Sequence, residues 1–325
     1  MARYKSILGA LAMCVGLTMN TQTRAQAYPA KPARLLVGFA PGGGTDIIAR
    51  LLAQKLSISL GQQFVVENKA GATGMIAAKQ VATAPADGYT LLMGHVNSQA
   101  IAPALMDKPL YDTVKDFAPV TYIGYVPNVL VVNSALPVKS VAELIALAKA
   151  RPKGLSFASP GVGSTNHLAG EMLKLDSGAP LVHVPYKGSG PAIVDLLGGQ
   201  VDMNFDAMSS VTQYLKANRM RALAVTTPQR DSDLPEVPTM AELGFKTFAI
   251  TNWYGIVAPA GTPAPIVEKL HAELAKIVQL PDVARQLAEL GVRREPMSPE
   301  QFAQFIRGED AKYREIARRT GVHME

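Results

Sequence analysis

Residues 34–56 read RLLVGFAPGGGTDIIARLLAQKL. Arg34–Phe39 is a short run dominated by Leu, Val and Phe, as a buried strand requires, and Asp46–Leu60 places Ile47, Ile48, Leu51, Leu52 and Leu56 on one helical face. Between them stands Pro41-Gly42-Gly43-Gly44-Thr45. The unit is therefore strand, glycine-rich loop, helix. It recurs about 120 residues later, where Leu155–Ala158 leads into Ser159-Pro160-Gly161-Val162-Gly163-Ser164-Thr165 and a helix from Asn166 onward. One copy is assigned to each of two domains.

Working outward, further strands are expected at Phe64–Glu67, Thr90–Met93, Val129–Val132, Ser156–Ala158, Leu181–Val184, Met203–Asp206, Leu223–Thr226 and Ile250–Val257. Most are continuous apolar runs, which suits parallel sheets covered on both faces. Helix starts are marked at Ser140-Val141-Ala142-Glu143, at Ser298-Pro299-Glu300-Gln301 and at Thr262-Pro263. The expected class is α/β, with two domains of mostly parallel sheet and a ligand cleft between them. The chain crosses between domains near Asn128–Val132 and Asn252–Gly255, giving domain 1 as 28–127 plus 254–325 and domain 2 as 128–253.

The first 27 residues form a separate unit. Arg3 and Lys5 precede an apolar run from Ile7 to Leu17, and Ala25-Gln26-Ala27 follows a polar stretch. This order predicts a signal peptide cut after Ala27, because the run is about half of the ~20 residues needed to span a bilayer. Cys14 invites a lipoprotein reading, but Met13 is larger than the small residue usual before a lipidated cysteine. Cleavage after Ala27 removes the only cysteine, and with it any disulfide or thiolate chemistry. It also removes Arg3, Lys5 and Arg24, which lowers the formal net charge from +6 to +3. The remaining basic residues are scattered without interleaved aromatics, so nucleic acid is not an expected partner.

A helix N-terminus leaves backbone N–H groups unpaired and partly positive, so it holds an anion where no side chain blocks the approach. Gly42, Gly43 and Gly44 leave that approach open, and in open α/β sheets such turns lie at the ligand-binding ends of strands. Asp46 would repel a carboxylate and is read as accepting loop N–H bonds that hold the loop open. In the second loop Ser164, Thr165 and Asn166 offer donors, any one of which could equally cap the helix. Two loops on one cleft fit a ligand with an acceptor at each end. His95, before Asn97 at a strand end, and Asp206, at the carboxyl end of its strand, are candidates to line the same cleft.

Other chemistry finds little support. The glycine loops lack the spacing of a phosphate loop or a dinucleotide turn, and no Gly-x-Ser-x-Gly elbow is present. The five histidines have no metal-ligand spacing, so no metal is expected. His167 and His183 are read as structural hydrogen-bonders, and His271 as a surface or edge residue. Asp202 and Asp206 fall at opposite ends of a short strand, which argues against an acid–base pair.

Eight segments, taken in order, resemble the Bug-type receptors of tripartite tricarboxylate transporters. They are Arg34–Leu56, Gly61–Gly71 (GQQFVVENKAG), Asp87–Leu92 (DGYTLL), His183–Gly190 (HVPYKGSG), Gly198–Asp202 (GGQVD), Arg221–Thr226 (RALAVT), Leu234–Thr239 (LPEVPT) and Trp253–Pro263 (WYGIVAPAGTP). The resemblance covers about residues 31–325. It implies a periplasmic binding protein of Venus-flytrap fold, non-catalytic, without cofactor and monomeric, that takes small carboxylates through backbone groups and ordered water. It further implies ligand contacts along Phe39, Ala40, Pro41, Gly42, Gly43, Gly44, Thr45 and Asp46, and along Ser159–His167, which includes Gly161, Gly163, Ser164, Thr165 and Asn166. The partners it implies are the permease subunits of such a transporter; a sensor domain for signalling and a periplasmic enzyme are the alternative readings.

Overall fold

The computed structural model describes residues 28–324, so the signal-peptide segment and Cys14 lie outside the described residues. The chain begins β1 (Ala33–Val37), α1 (Gly44–Leu60), β2 (Phe64–Asn68), α2 (Met75–Ala82), β3 (Thr90–His95) and the one-turn α3 (Ala102–Ala104). It continues through the long β4 (Phe117–Asn133), α4 (Val141–Ala150), β5 (Leu155–Ser159), α5 (Thr165–Ser177), β6 (Leu181–Pro185), α6 (Ser189–Leu197), β7 (Met203–Ala207), α7 (Met208–Lys216) and β8 (Met220–Val225). Then come β9 (Thr251–Pro259), α8 (Ala264–Ile277), α9 (Pro281–Glu289) and α10 (Pro299–Thr320). No helix among the described residues is long and apolar enough to cross a membrane.

Strand order is β2-β1-β3-β9-β4-β7-β5-β6, with β8 paired to β4. The flanks are parallel, β1 against β2 and β3, and β5 against β6 and β7. The middle is antiparallel. β4 pairs β9 from Phe117 to Pro127 and then, from Asn128 onward, pairs β7 and β8. The expectation of mostly parallel sheet is thus corrected to a mixed one, because the strands that carry the chain between the two halves run against their neighbours.

The N-terminal two-thirds of β4 was not anticipated. Pro119, Gly124 and Pro127 give it the look of a loop, yet it pairs β9 through irregularities between Pro119 and Thr121 and between Tyr122 and Gly124, where an imperfect strand is accommodated. Ile47 is a smaller correction. It is 41% exposed, because the buried stripe of α1 runs through Ile48, Ala49, Leu52, Ala53 and Leu56 and leaves Ile47 beside the loop.

The cores explain what holds the two glycine loops in place. One apolar cluster packs α1, α8 and α9 on the β1–β3–β9 side, another packs α6 and α7 against β4, β5 and β8, and a third runs through both halves of the sheet. α10 seals that third cluster. Its Phe302 and Phe305 meet Tyr122 and Trp253 in edge-on contacts, its Glu309 accepts from Trp253 Nε1 at 2.9 Å, and further along Arg319 pairs with Asp176 of α5. The C-terminal segment therefore returns to the β9 side and also reaches across to the other half. Gly255 makes the seat for Phe302, since a Cβ there would come within 2.3 Å of its ring.

Phe302→Ala removes a fully buried ring from this seam. It is expected to lower the unfolding free energy by about 3–5 kcal/mol, read as a fall in the urea midpoint; a loss below about 1 kcal/mol would show that α10 does not seal the core.

Candidate functional site

The first loop leaves β1 at Val37 and enters α1 at Gly44. Gly42 takes φ +85°, and Gly43, in the N-cap position, has φ −80° and ψ 165° with no side chain to cap the helix. Pro41 to Gly44 are exposed, and no side chain caps the first N–H groups of α1. The bend therefore belongs to Gly42, where an L-residue would be strained. Gly43 has ordinary extended angles, and a Cβ there would meet no atom closer than Ala40 O at 3.8 Å. What Gly43 supplies is access.

Asp46 fixes this loop from beneath. Its Oδ2 accepts from the Gly42 N–H at 2.9 Å and from Arg50 Nε at 3.0 Å, and its Oδ1 accepts from Asn68 Nδ2 at 2.8 Å. Asn68 also donates to Phe39 O at 3.0 Å, which ties the loop's entry to its helix. Burial by itself would raise the Asp46 carboxyl, but the bonds from Arg50, Gly42 and Asn68 outweigh it and hold the group down at about 2. A depressed carboxyl stabilises the fold above its unfolded value near 3.8 and loses that contribution only as pH falls through about 2. The loop thus keeps its brace across the whole neutral range.

His95 packs edge-on between Phe39 and Tyr254, 5.1 Å from each ring. Its Nδ1 accepts from the Asn97 N–H at 3.1 Å, and burial pushes its pKa down to about 3. It is a neutral prop under Phe39. Asn97 turns a buried Oδ1 that has no partner among the described residues.

In the second loop Ser164 is the N-cap of α5, its Oγ accepting from the His167 N–H at 3.2 Å and donating to Gly161 O at 2.7 Å. Gly161 and Gly163 both have positive φ, +140° and +76°. Thr165 and Asn166 are buried in the first turn, and the Asn166 side chain faces the Asp206 carboxyl without a well-formed hydrogen bond to it. The register of β5 against β7, Ala158 with Asn204, sets the end of β7 beside this loop. There burial raises the Asp206 carboxyl to about 6 against hydrogen bonds from the Ala207 N–H at 2.8 Å, Ser189 Oγ at 3.1 Å and Asn204 Nδ2 at 2.9 Å. Both Asp206 oxygens are therefore occupied by the protein itself, while the buried Asn204 Oδ1 is left without a partner among the described residues.

β9 brings the two loops to one place. A Cβ at Gly44 would lie 3.8 Å from the Tyr254 hydroxyl, and Thr165 Oγ1 bonds Asn252 Oδ1 at 3.0 Å. Asn252 and Tyr254 are two residues apart on β9, roughly 7 Å along a strand. Asn252 also donates to Asn128 Oδ1 at 2.7 Å, at the point where β4 changes partners. Asn68, Asn128, Asn204, Asn252 and Tyr254 were missed in the sequence reading. Asn68 alone was within reach of it, as a polar residue at the carboxyl end of a strand beside the first loop.

The sequence and fold match those of known proteins. The family described as tripartite tricarboxylate transporter family receptor matches residues 48–322. The chain belongs to this family. The receptor is 38% identical to Protein BugT of Bordetella pertussis over 100% of this chain and 99% of that one. Among solved structures it is similar to Rpa4515 of R. palustris with adipate, at 38% identity and TM-score 0.79 over 91% of this chain and 99% of that one. It is similar also to MatC from Rhodopseudomonas palustris with bound malate, at 33% identity and TM-score 0.75 over 89% and 99%. Members of the family are periplasmic solute-binding receptors, not enzymes, of two-domain flytrap-like fold.

Gly43→Val keeps permitted backbone angles, and its Cβ comes no closer to another atom than 3.8 Å, at Ala40 O, so circular dichroism should stay unchanged while calorimetry, with an organic acid first shown to bind the parent protein, shows binding lost. Parental affinity would remove the ligand from this loop. Asp46→Asn turns an NH₂ toward either Gly42 N–H or Asn68 Nδ2, and a loss of about tenfold, or roughly 1.4 kcal/mol, is expected; abolished binding would instead make Asp46 a direct contact.

Proposed function

We propose that this receptor captures a small dicarboxylate in the periplasm and delivers it to the integral-membrane permease subunits of a tripartite tricarboxylate transporter. The observation that carries the reading is the convergence of two helix N-termini, those of α1 and α5, on Asn252 and Tyr254 of β9. Each provides backbone N–H groups for one carboxylate. The unpartnered amide oxygens of Asn97 and Asn204 are left for the ligand's middle or for bridging water. The adipate and malate held by the relatives are both dicarboxylates, which supports the class.

The domains are assigned on the same footing. The division into 28–127 plus 254–325 and 128–253 takes the partner change of β4 at Pro127/Asn128 as one hinge strand and the start of β9 as the other. Closure about these strands would bring both loops onto the ligand and exclude water. The export signal read in residues 1–27 supports the compartment.

A thermal-unfolding screen of the mature protein against an organic-acid panel tests the proposal. A bound dicarboxylate at about 100 times its Kd adds about 2.7 kcal/mol of stability, and the monoamide of the same acid should add far less. If no dicarboxylate stabilises the protein, or the monoamide does so equally, the two-ended reading fails.

A further inference from the structure

Beneath the second loop lie two imidazoles that ligand capture, as argued above, does not use. His167, in the first turn of α5, and His183, on β6, stack with ring centroids 3.9 Å apart and planes 25° from parallel. Phe157 of β5 lies against His183 at 5.0 Å. Each imidazole is tied to the loop through one nitrogen. The Gly163 N–H donates to His167 Nδ1 at 3.2 Å, and His183 Nε2 shares a 2.6 Å bond with Ser159 Oγ, which itself accepts from the Gly161 N–H at 3.1 Å. Residues 159–163 thus hang on two ring nitrogens. Gly161 O is held separately by Ser164 Oγ at 2.7 Å and Ser159 Oγ at 3.1 Å, whereas the Gly163 N–H has His167 Nδ1 as its acceptor.

The tie to His167 works in one protonation state only. An imidazole nitrogen accepts a bond while it is unprotonated, so the proton of His167 is on Nε2, which faces Glu171 Oε1 at 3.9 Å. From α5 the charged neighbours are Glu171 and Lys174, themselves paired at 3.3 Å, and from β5 the facing groups are Phe157 and Ser159, which do not titrate. A second proton on His167 would set a donor against the Gly163 N–H, and protonating both rings would stack two cations.

We propose that His167 and His183 are positioning residues that mould residues 159–163 into their ligand-receiving shape, the His167 tie holding only while that ring is neutral, so that acid loosens the second loop. The proposal rests on the reading above for what the loop receives, and on the stack alone for what shapes it. Burial, reinforced by the facing ring and by Lys174, brings His167 down to about 4, and burial with Lys174 does the same for His183. The sign follows. Between the usual 6.5 and about 4 the unfolded chain binds more protons than the folded one, so stability falls as pH drops through that window and the loop opens when the rings charge.

The test uses the ligand-free protein, with Gly163 amide exchange and imidazole ¹⁵N spectra followed from neutral pH to below the ring pKa. His167→Asn keeps an acceptor near Nδ1 that cannot be protonated; His167→Leu has none. At neutral pH the Gly163 amide should be protected at least about tenfold in the parent and in His167→Asn, and unprotected in His167→Leu. In acid the parent should lose that protection and His167→Asn should keep it. A His167 ring protonated on Nδ1 at neutral pH, or identical acid profiles in parent and Asn variant, overturns the proposal. Adipate titration forms a second arm, because adipate's own carboxyls titrate alike against both chains. Its affinity should fall in acid about tenfold more for the parent than for His167→Asn. If Gly163 behaves as expected and neither adipate nor any other dicarboxylate of the panel binds, the carboxylate reading fails and the mould stands; if adipate binds and Gly163 ignores His167, the mould fails alone.

Discussion

An α-helix leaves its first backbone N–H groups without carbonyl partners, and those groups must be covered by something. In this receptor the N-terminus of α1 is left bare, with Gly43 in a capping position that has no cap to give. That constraint organises what surrounds it. Gly42 supplies the bend, Asp46 and Asn68 hold the loop from below, and His95 props Phe39 from the side. The charge of Asp46 is spent on Arg50, Asn68 and a backbone N–H, so an acidic residue sits at an uncapped helix N-terminus with its oxygens turned to protein donors.

The second constraint is convergence. Two parallel flanks, each ending in a glycine loop, would bind nothing in common unless some strand ran past both. β9 does so, and β4 runs antiparallel to it before leaving for the other half. The Thr165–Asn252–Asn128 chain of hydrogen bonds links the start of α5 to that strand crossing. α10 packs against the same region, where Phe302 meets Trp253 edge-on and Glu309 accepts from its Nε1.

Much of this was legible in the amino-acid order, where the information is local. The nine strands fall within or around the apolar runs, and Ser140 and Ser298 accept from the N–H groups of Glu143 and Gln301 as their spacing predicts. What escaped was relational. The first part of β4, with Pro119, Gly124 and Pro127, is a strand because β9 lies beside it, and nothing within those residues says so. Asn252 and Asn204 matter through register with strands far away in the chain. Asp206 was legible as the carboxyl end of its strand, yet the groups that face its carboxyl, Ser189, Asn204, Ala207 and Asn166, are a set that only folding assembles.

The central claim is that one ligand engages both helix N-termini through their backbone. Amide spectra of ¹⁵N-labelled mature protein titrated with adipate test it directly. The account predicts that the N–H signals of Gly42–Thr45 and of Gly163–Asn166 move together, along one saturation curve. Movement of one loop while the other stays still would contradict it.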